Sequence, residues 1–269
     1  MRTHDAAALL GVSPSTLRSW ERRHGYPRPR RTPGNHRIYD LGELEALRDA
    51  LGETGAISSA IDVAQRRGRA VGSVARLLNA FDRYDESAAD REIEESLALR
   101  SVERSVDELL LPALAAAGER PARPAELEFA CRWATGWLHG ARKLAPSAWR
   151  EEAVLILESD PGPHPDAVHA QALELILRRL GLRVLVLSTE LASERVGAAL
   201  GALRPSAVIL CGVVNGGEER RATLEGVLRA PGGGRAFAYR GGLGSSRIAR
   251  RLEDSPVRAA AAVLADIGD

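Results

Sequence analysis

Residues 3–39 read THDAAALLGVSPSTLRSWERRHGYPRPRRTPGNHRIY, and this stretch decides the fold of the N-terminal part of the chain. Its first apolar run ends at Gly11, which predicts a short helix closed by a left-handed cap. Ser13 is a good N-cap and Pro14 suits the first helical position, so a second helix should begin there. The pair predicts a helix-turn-helix, whose second helix presents polar side chains to the major groove of DNA.

A basic, proline-rich segment follows the second helix. Its prolines exclude a helix, and the Gly34-Asn35 pair is a tight-turn signal. We therefore predict a hairpin wing that residues 37–39 close. Asp40 is predicted to cap a third helix, which has leucines at helical spacing.

Charge supports a nucleic-acid-binding head. The formal net charge of the 269-residue chain is only +1, but residues 1–40 contain eight arginines against three acidic residues, a surplus of five. A locally basic patch on a neutral protein is the expected pattern for a DNA-binding surface. The predicted DNA-binding residues come from the second helix and the wing: Thr16, Arg18, Ser19, Arg22, His36, Arg37 and Tyr39, the last of which holds the wing in place.

The rest of the chain divides where the hydrophobic period changes. Helical spacing throughout residues 71–148 predicts a four-helix bundle, with helices at about 72–83, 87–99, 101–117 and 124–144. Short β runs then alternate with helical segments: strands at 153–157, 183–187, 207–211 and 235–239, helices at 166–180, 192–203 and 217–229. This alternation predicts a flavodoxin-like, Rossmann-like doubly wound parallel sheet, with ligands beyond the carboxyl ends of its strands. We predict a multidomain chain: a DNA-binding domain over 1–70, the bundle over 71–148 and an α/β domain over 149–269.

Composition excludes several classes of function. No apolar run is long enough to span a membrane, and no signal peptide precedes the head. Two distant cysteines indicate a reducing compartment, so we expect a cytoplasmic protein. No Ser-His-Asp set or paired carboxylates indicate an enzyme.

Residues 3–39 resemble the DNA-binding head of the MerR-family transcription regulators through both helices and the wing. The order of a MerR head, a four-helix bundle and a flavodoxin-like domain is similar to that of the cobalamin-dependent light-sensing repressors of the CarH and LitR type. The resemblance implies a bacterial regulator that binds a double-stranded DNA operator as a homo-oligomer, a dimer or tetramer. It leaves RNA polymerase open as a further partner.

The cobalt-binding loop departs from the pattern of those repressors, in which a His of an Asp/Glu-x-His-x-x-Gly loop coordinates cobalt. Counting back from Gly181 places Asp166 at the His position and His169 at the Gly position. A shifted register would use His164 instead, with Gly162 in place of the acid.

The bundle and the later strands depart as well. The repressors have a Trp soon after a Gly-Glu pair, where this chain has Pro121, and a Glu-His pair above the corrin, where it has Cys131-Arg132. Gly241 and Gly242 suit the passage of a nucleotide tail, but the loop after the third strand contains acids instead of hydroxyl residues.

Some of these residues have simpler interpretations. Cys131 falls on the apolar stripe of the bundle, which is typical of a small buried hydrophobic residue. The same position also faces the place that a cap over a flat ligand would occupy. Trp133 either packs in the bundle or lines a pocket. A metal site with Asp160 beside the loop histidines is the alternative to a polar loop, and we predict no metal.

We predict a MerR-family regulator whose sensor-like half does not use cobalamin. The candidate ligand-binding residues are Cys131, Arg132, Trp133, His164, Asp166, His169, Gly241 and Gly242. Two alternatives stay open: a light-responsive repressor that uses cobalamin or another tetrapyrrole, and a regulator of another small ligand such as a nucleotide. A cobalamin-dependent methyltransferase fragment would share the bundle and the sheet, but the head argues against it. We expect the cleft between bundle and sheet to be filled by a ligand or by bulky side chains such as Trp133, Trp137 or Arg132.

Overall fold

The chain divides into two units, Met1–Gly72 and Ser73–Asp269. The computed structural model describes residues 1–31, 36–39, 41–70, 72–159, 162–213, 217–229, 234–242 and 248–268. The predicted turn at 34–35, the cap at Asp40 and the candidate ligand Asp160 lie outside these residues.

The first unit is helical, with a short hairpin. Its elements α1, α2, β1, β2, α3 and α4 span Thr3–Leu9, Pro14–His24, Arg30–Arg31, Arg37–Ile38, Leu41–Thr54 and Ile57–Ala70.

Helix α2 begins and ends as its sequence predicts. The Ser13 hydroxyl accepts a hydrogen bond from the Thr16 amide at 3.1 Å, and Pro14 occupies the first turn. Gly25 ends the helix with a φ of 64°, a left-handed conformation that favours glycine. Because both ends are defined, the sequence determines which residues of α2 face outward.

The hairpin is attached to the helices through its second strand. Strands β1 and β2 are antiparallel, with Arg30 opposite Ile38 and Arg31 opposite Arg37. The Met1 ammonium donates to the Tyr39 carbonyl at 2.8 Å, and the Tyr39 amide donates to the Met1 carbonyl at 2.9 Å. The Tyr39 ring is 2% exposed and belongs to the core of the first unit.

The second unit begins with a helical region, residues 74–143, that packs around one hydrophobic core. Helices α5 to α9 span Val74–Asp82, Glu86–Leu97, Val102–Ser105, Leu111–Gly118 and Pro124–Lys143, with a π-helical turn at Val106–Leu110.

The π turn interrupts the single helix predicted over 101–117. Pro112 has no amide hydrogen for the carbonyl four residues earlier, and its ring crowds that carbonyl. The turn just before it widens, so that the Leu111 amide donates to the Val106 carbonyl, five residues back. One residue of this turn, Asp107, accepts a hydrogen bond from the Ser255 hydroxyl at 3.0 Å.

The remainder of the second unit is a parallel sheet with helices on both faces. Strands β3 to β7 span Ala153–Glu158, Arg183–Ser188, Ala207–Val213, Arg235–Gly242 and Arg250–Arg251, and helices α10 to α13 span Pro165–Arg179, Ser193–Leu203, Gly217–Arg229 and Pro256–Ile267. The strand order is β4-β3-β5-β6-β7, and all pairings are parallel. This is a doubly wound, Rossmann-like sheet.

The four predicted strands and three predicted helices of this region agree with the structure to within three residues. The sequence prediction omitted β7 and α13. Strand β7 consists of two exposed arginines, so it has no apolar run. Helix α13 begins with Ser255 as N-cap followed by Pro256, the same start signal that identified α2.

Helix α10 lies between the sheet and the helical region. Its apolar side chains divide between two cores: Val168, Ala172 and Leu175 in the helical core, and Ala170, Leu173 and Ile176 in the sheet core. Polar contacts join the same elements. Glu174, 4% exposed, accepts from Arg142 of α9 at 3.2 Å and from Arg178 at 2.8 Å. Arg179 donates to Glu103 of α7 at 2.6 Å.

Replacing Glu174 by Ala should lower the free energy of unfolding of the second unit by about 2 kcal/mol, because two arginines lose a buried partner. Both arginine side chains are 33% exposed, so water replaces part of the lost interaction. The control Glu128→Ala removes the exposed partner of Arg132 on α9 and should change stability by less than about 0.5 kcal/mol. Urea unfolding followed by circular dichroism measures both, and equal losses would contradict the role given to Glu174.

Candidate functional site

Helix α2 presents three arginines to solvent, Arg18, Arg22 and Arg23. Arg18 and Arg22 are exposed and lie one helical turn apart, with Ser19 half-buried between them. The Arg18 Nε donates to the Pro14 carbonyl at 3.1 Å, which keeps its side chain along the helix. The predicted basic face of α2 is therefore exposed on the first unit.

Thr16 is engaged within the helix start. Its amide donates to the Ser13 hydroxyl, and the two hydroxyl oxygens lie 2.8 Å apart. A second hydroxyl, that of Ser15, lies 2.7 Å from the Ser13 oxygen. A DNA contact by the Thr16 hydroxyl would compete with this capping network.

The predicted wing residues differ in exposure. His36 is exposed, the Arg37 side chain is 30% exposed, and Tyr39 is buried. Arg37 Nε donates to Oε2 of Glu21 at 3.0 Å, and the Tyr39 hydroxyl donates to Oε1 of the same carboxylate. Burial, followed by the hydrogen bond to Glu21, raises the pKa of Tyr39 to about 12. Tyr39 is thus a buried residue that links the end of the hairpin strand to Glu21 of α2.

Positive charge dominates the exposed surface of the first unit near α2. Its exposed arginines include Arg2, Arg18, Arg22, Arg23 and Arg28. Glu21, the acid on α2, is engaged with Arg37, so it offsets little of this charge. Such a surface attracts a polyanion.

In the second unit, Asp166 and His169 lie near the carboxyl ends of the strands, at the start of α10. The Asp166 carboxylate accepts a hydrogen bond from Arg240 Nε at 2.6 Å, and the two side chains are 31% and 26% exposed. Arg240 ends the regular part of β6 and has a φ of 49°, a conformation that L-residues rarely adopt. Arg240 was not among the predicted site residues, although its place at a strand end, next to Gly241, was a usable signal.

Glycines allow the strand ends to approach closely. A Cβ on Gly212 of β5, whose φ is 79°, would lie 2.4 Å from the Ser159 hydroxyl oxygen. A Cβ on Gly241, whose φ is 106°, would lie 2.9 Å from a methyl carbon of Val213. The next residue, Gly242, pairs with Val213 across β5 and β6. The predicted glycines therefore lie at the expected edge of the sheet.

His169 is tied to β6. Its Nδ1 lies 3.2 Å from the Tyr239 hydroxyl, which donates its one hydrogen to the Asp254 carbonyl at 2.8 Å. Nδ1 must therefore donate to the tyrosine oxygen. Burial, with the nearby Arg240 charge as the second cause, lowers the pKa of His169 to about 4. The ring is thus held neutral.

His164 occupies the N-cap position of α10. Its backbone is extended, its side chain is half-buried, and its amide donates to the Gly162 carbonyl at 2.9 Å. It follows β3 at the same edge of the sheet.

The candidate residues on α9 make their contacts within the helical region. Cys131 is fully buried in its core, and burial raises the pKa of the thiol to about 12. Arg132 is exposed and paired with Glu128 at 2.8 Å. Trp133 is 7% exposed and donates from Nε1 to Asp90 at 2.8 Å. Cys131 and Trp133 therefore pack inside the helical region. Arg132, exposed at its surface, does not fill a cleft.

Two classes of site are not found among the described residues. In that part of the chain, no three or more His, Cys, Asp or Glu side chains form a group that could hold a metal ion. Nor, over the same ranges, is any helix both long and apolar enough to cross a membrane.

A basic helical head followed by a helical region and a Rossmann-like sheet is the architecture expected of a DNA-binding regulator with a separate second half. Residues 2–39 match the MerR family regulatory proteins. The HTH-type transcriptional repressor CarH of Myxococcus xanthus is 32% identical, over 80% of this chain and 79% of the repressor. The repressor CarA of the same organism is 30% identical, over 86% and 83%. The chain belongs to the MerR family of transcription regulators.

The fold of the second unit has a solved counterpart. The Methanosarcina barkeri monomethylamine corrinoid protein superposes with a TM-score of 0.53 at 12% identity, covering 70% of this chain and 95% of that protein. At this identity the likeness establishes the fold alone.

The partly buried His169 should make stability depend on pH. Its pKa is about 4 in the folded protein and 6.5 without the shift, so the unfolded chain binds the proton more tightly. Stability from the neutral ring is complete above about pH 6.5 and is lost as pH falls towards 4, by about 3 kcal/mol in all. Urea unfolding at a series of pH values should show this slope in the wild type and a smaller one in His169→Gln. An identical slope in both would contradict the assignment.

Proposed function

We propose that the chain is a bacterial, cytoplasmic DNA-binding transcriptional regulator without enzymatic activity, whose winged helix-turn-helix head occupies residues 1–70. The observation that supports it best is the exposed arginine face of α2 beside strand β2. Membership of the MerR family agrees with it.

In this proposal α2 is the recognition helix. Arg18, Ser19 and Arg22 meet base edges or phosphates in the major groove, while His36 and Arg37 reach the backbone from the wing. Phosphate contacts supply most of the affinity, and base-edge contacts supply the choice of sequence. One head covers few base pairs, so a dimer or tetramer on a repeated or inverted site follows. RNA polymerase is the natural further partner of such a regulator.

We further propose that the second half, a four-helix bundle over 71–148 and an α/β domain over 149–269, does not use cobalamin. In the repressors that this chain resembles, a histidine coordinates cobalt at the position where this chain has Asp166, and the Asp166 carboxylate is already engaged by Arg240. His169 stands at the glycine position of the loop, and its Nδ1 donates to Tyr239, so only its Nε2 keeps a lone pair for a metal. On α9, Cys131 is inside the core and Arg132 is paired at the surface, so the pair that replaces Glu-His offers no cap for a corrin.

A sensor of another small ligand, such as a nucleotide or a different tetrapyrrole, is the second candidate. It is favoured by the Asp166–Arg240 pair, which is only partly covered, at 31% and 26% exposure, and lies beside Gly241. A polar ligand group at this edge of the sheet could exchange partners with the pair.

The first test concerns Arg18. Arg18→Ala should weaken binding by about 1–3 kcal/mol if the guanidinium contacts a base, because that contact cannot be replaced. The DNA probe is the duplex that the wild-type protein selects from a random-sequence library, titrated at a stated salt concentration. The control Arg48→Ala removes an exposed arginine of α3 that pairs with Asp49, and it should bind like the wild type. Unchanged affinity in Arg18→Ala would overturn the assignment of α2 as the recognition helix.

The second test concerns cobalamin. Titration of the full chain with adenosylcobalamin in the dark should give no stoichiometric complex and no spectral change from a nitrogen ligand, because Asp166 supplies oxygen. Light should leave the oligomeric state unchanged in its presence. A tight complex with nitrogen bound to cobalt would refute the proposal, and His164→Ala and His169→Ala would then identify the donor.

A further inference from the structure

Glu21 is an acidic residue on the helix that faces DNA in the proposal above. It lies on α2 between the exposed Arg18 and Arg22, and it is the one acid in the sequence of that helix. By charge alone, a carboxylate at this position repels DNA phosphates and weakens binding. The contacts of its side chain give it a different role.

The Glu21 carboxylate connects α2 to the hairpin. Its side chain is 13% exposed, and both oxygens are used: Oε2 accepts from Arg37 Nε at 3.0 Å, and Oε1 accepts from the Tyr39 hydroxyl. Arg37 and Tyr39 flank Ile38 and belong to β2 and its end. One carboxylate therefore bonds to two side chains of the second strand of the hairpin and its end.

The bond to Arg37 is specific in its geometry. Within the described part of the chain, the Glu21 carboxylate accepts from Nε of Arg37, the guanidinium nitrogen nearest the backbone. A bond at Nε fixes the direction of the guanidinium plane and leaves the two terminal nitrogens for an outside acceptor. Tyr39 is held through its backbone as well as its side chain, since its backbone pairs with Met1.

We propose that Glu21 is a positioning residue for sequence-specific DNA binding. It fixes Arg37 and the strand β2 relative to α2, so that helix and hairpin approach one duplex with a defined spacing. It acts through Arg37 and Tyr39 and does not touch DNA. The inference rests on the proposed DNA-binding function of this head.

The direction of the change in DNA affinity on replacing Glu21 distinguishes this role from a simple effect of charge. Glu21→Gln and Glu21→Ala each remove one negative charge, which by charge alone raises affinity for any duplex. We expect affinity for the selected duplex to fall, by about tenfold in Glu21→Ala and less in Glu21→Gln, which keeps an acceptor for Tyr39. Affinity for a scrambled duplex should stay the same or rise, so the ratio between the two duplexes falls.

Asp49→Asn is the matched control. Asp49 is an acid of the same unit, 57% exposed on α3, and its partner is the adjacent Arg48. It loses the same charge at a site remote from the hairpin contact in sequence, and it should keep the wild-type ratio. Thermal unfolding of each variant shows whether the head is still folded.

The outcomes are distinct. A lower ratio in both Glu21 variants, with Glu21→Gln folded like the wild type, supports the positioning role. An unchanged or higher affinity of Glu21→Ala for the selected duplex overturns it, and so does an equal loss on both duplexes, which would indicate a purely structural effect. If the wild-type protein selects no duplex at all, the proposed function itself fails and the result is not assigned to Glu21.

Discussion

The second unit depends on helix α10, which packs apolar side chains against both the sheet and the helical region. One set of its side chains packs on the sheet and another on the helical region, so its polar residues are confined to its ends and to a narrow border. Asp166 and His169 face the strand ends near its start, and Glu174 and Arg179 join it to the helical region further along. Eight residues of helix, about 12 Å, separate Asp166 from Glu174. The candidate ligand site and the contacts that position the helical region are therefore parts of one rigid element.

Much of the fold was predictable because its signals are local. The start of α2 follows from Ser13 and Pro14, and the change from helical to strand periodicity marks the sheet. The errors have physical causes too. The π turn results from Pro112, which cannot donate a backbone hydrogen bond. The sequence shows the proline but not how the helix adjusts to the missing bond. Strand β7 is held by backbone pairing to β6, so its two arginines give no hydrophobic signal.

Those features of the candidate sites that depend on a single helix were predictable from the sequence, and those that depend on contacts between distant residues were not. Helical spacing and charge predict that Arg18 and Arg22 share one exposed face of α2. The Glu21–Arg37 contact depends on the path of the hairpin, and Asp166 and Arg240 are 74 residues apart in the chain. Cys131 and Trp133 were candidate ligand-binding residues because of their positions in the sequence. In the structure both side chains belong to the interior of the helical region. Pairwise contacts of this kind require the tertiary structure.

Strand β7 bounds one side of the parallel sheet with only two residues, both arginines, and Arg250 is paired with Asp266 at 2.6 Å. An open strand edge is a template on which another chain can add a strand, and a short, positively charged edge resists this. Two copies that approach along β7 would bring their Arg251 side chains together, while Arg250 is already neutralised by Asp266. The β7 edge of this sheet is therefore a poor template for a strand from a second copy.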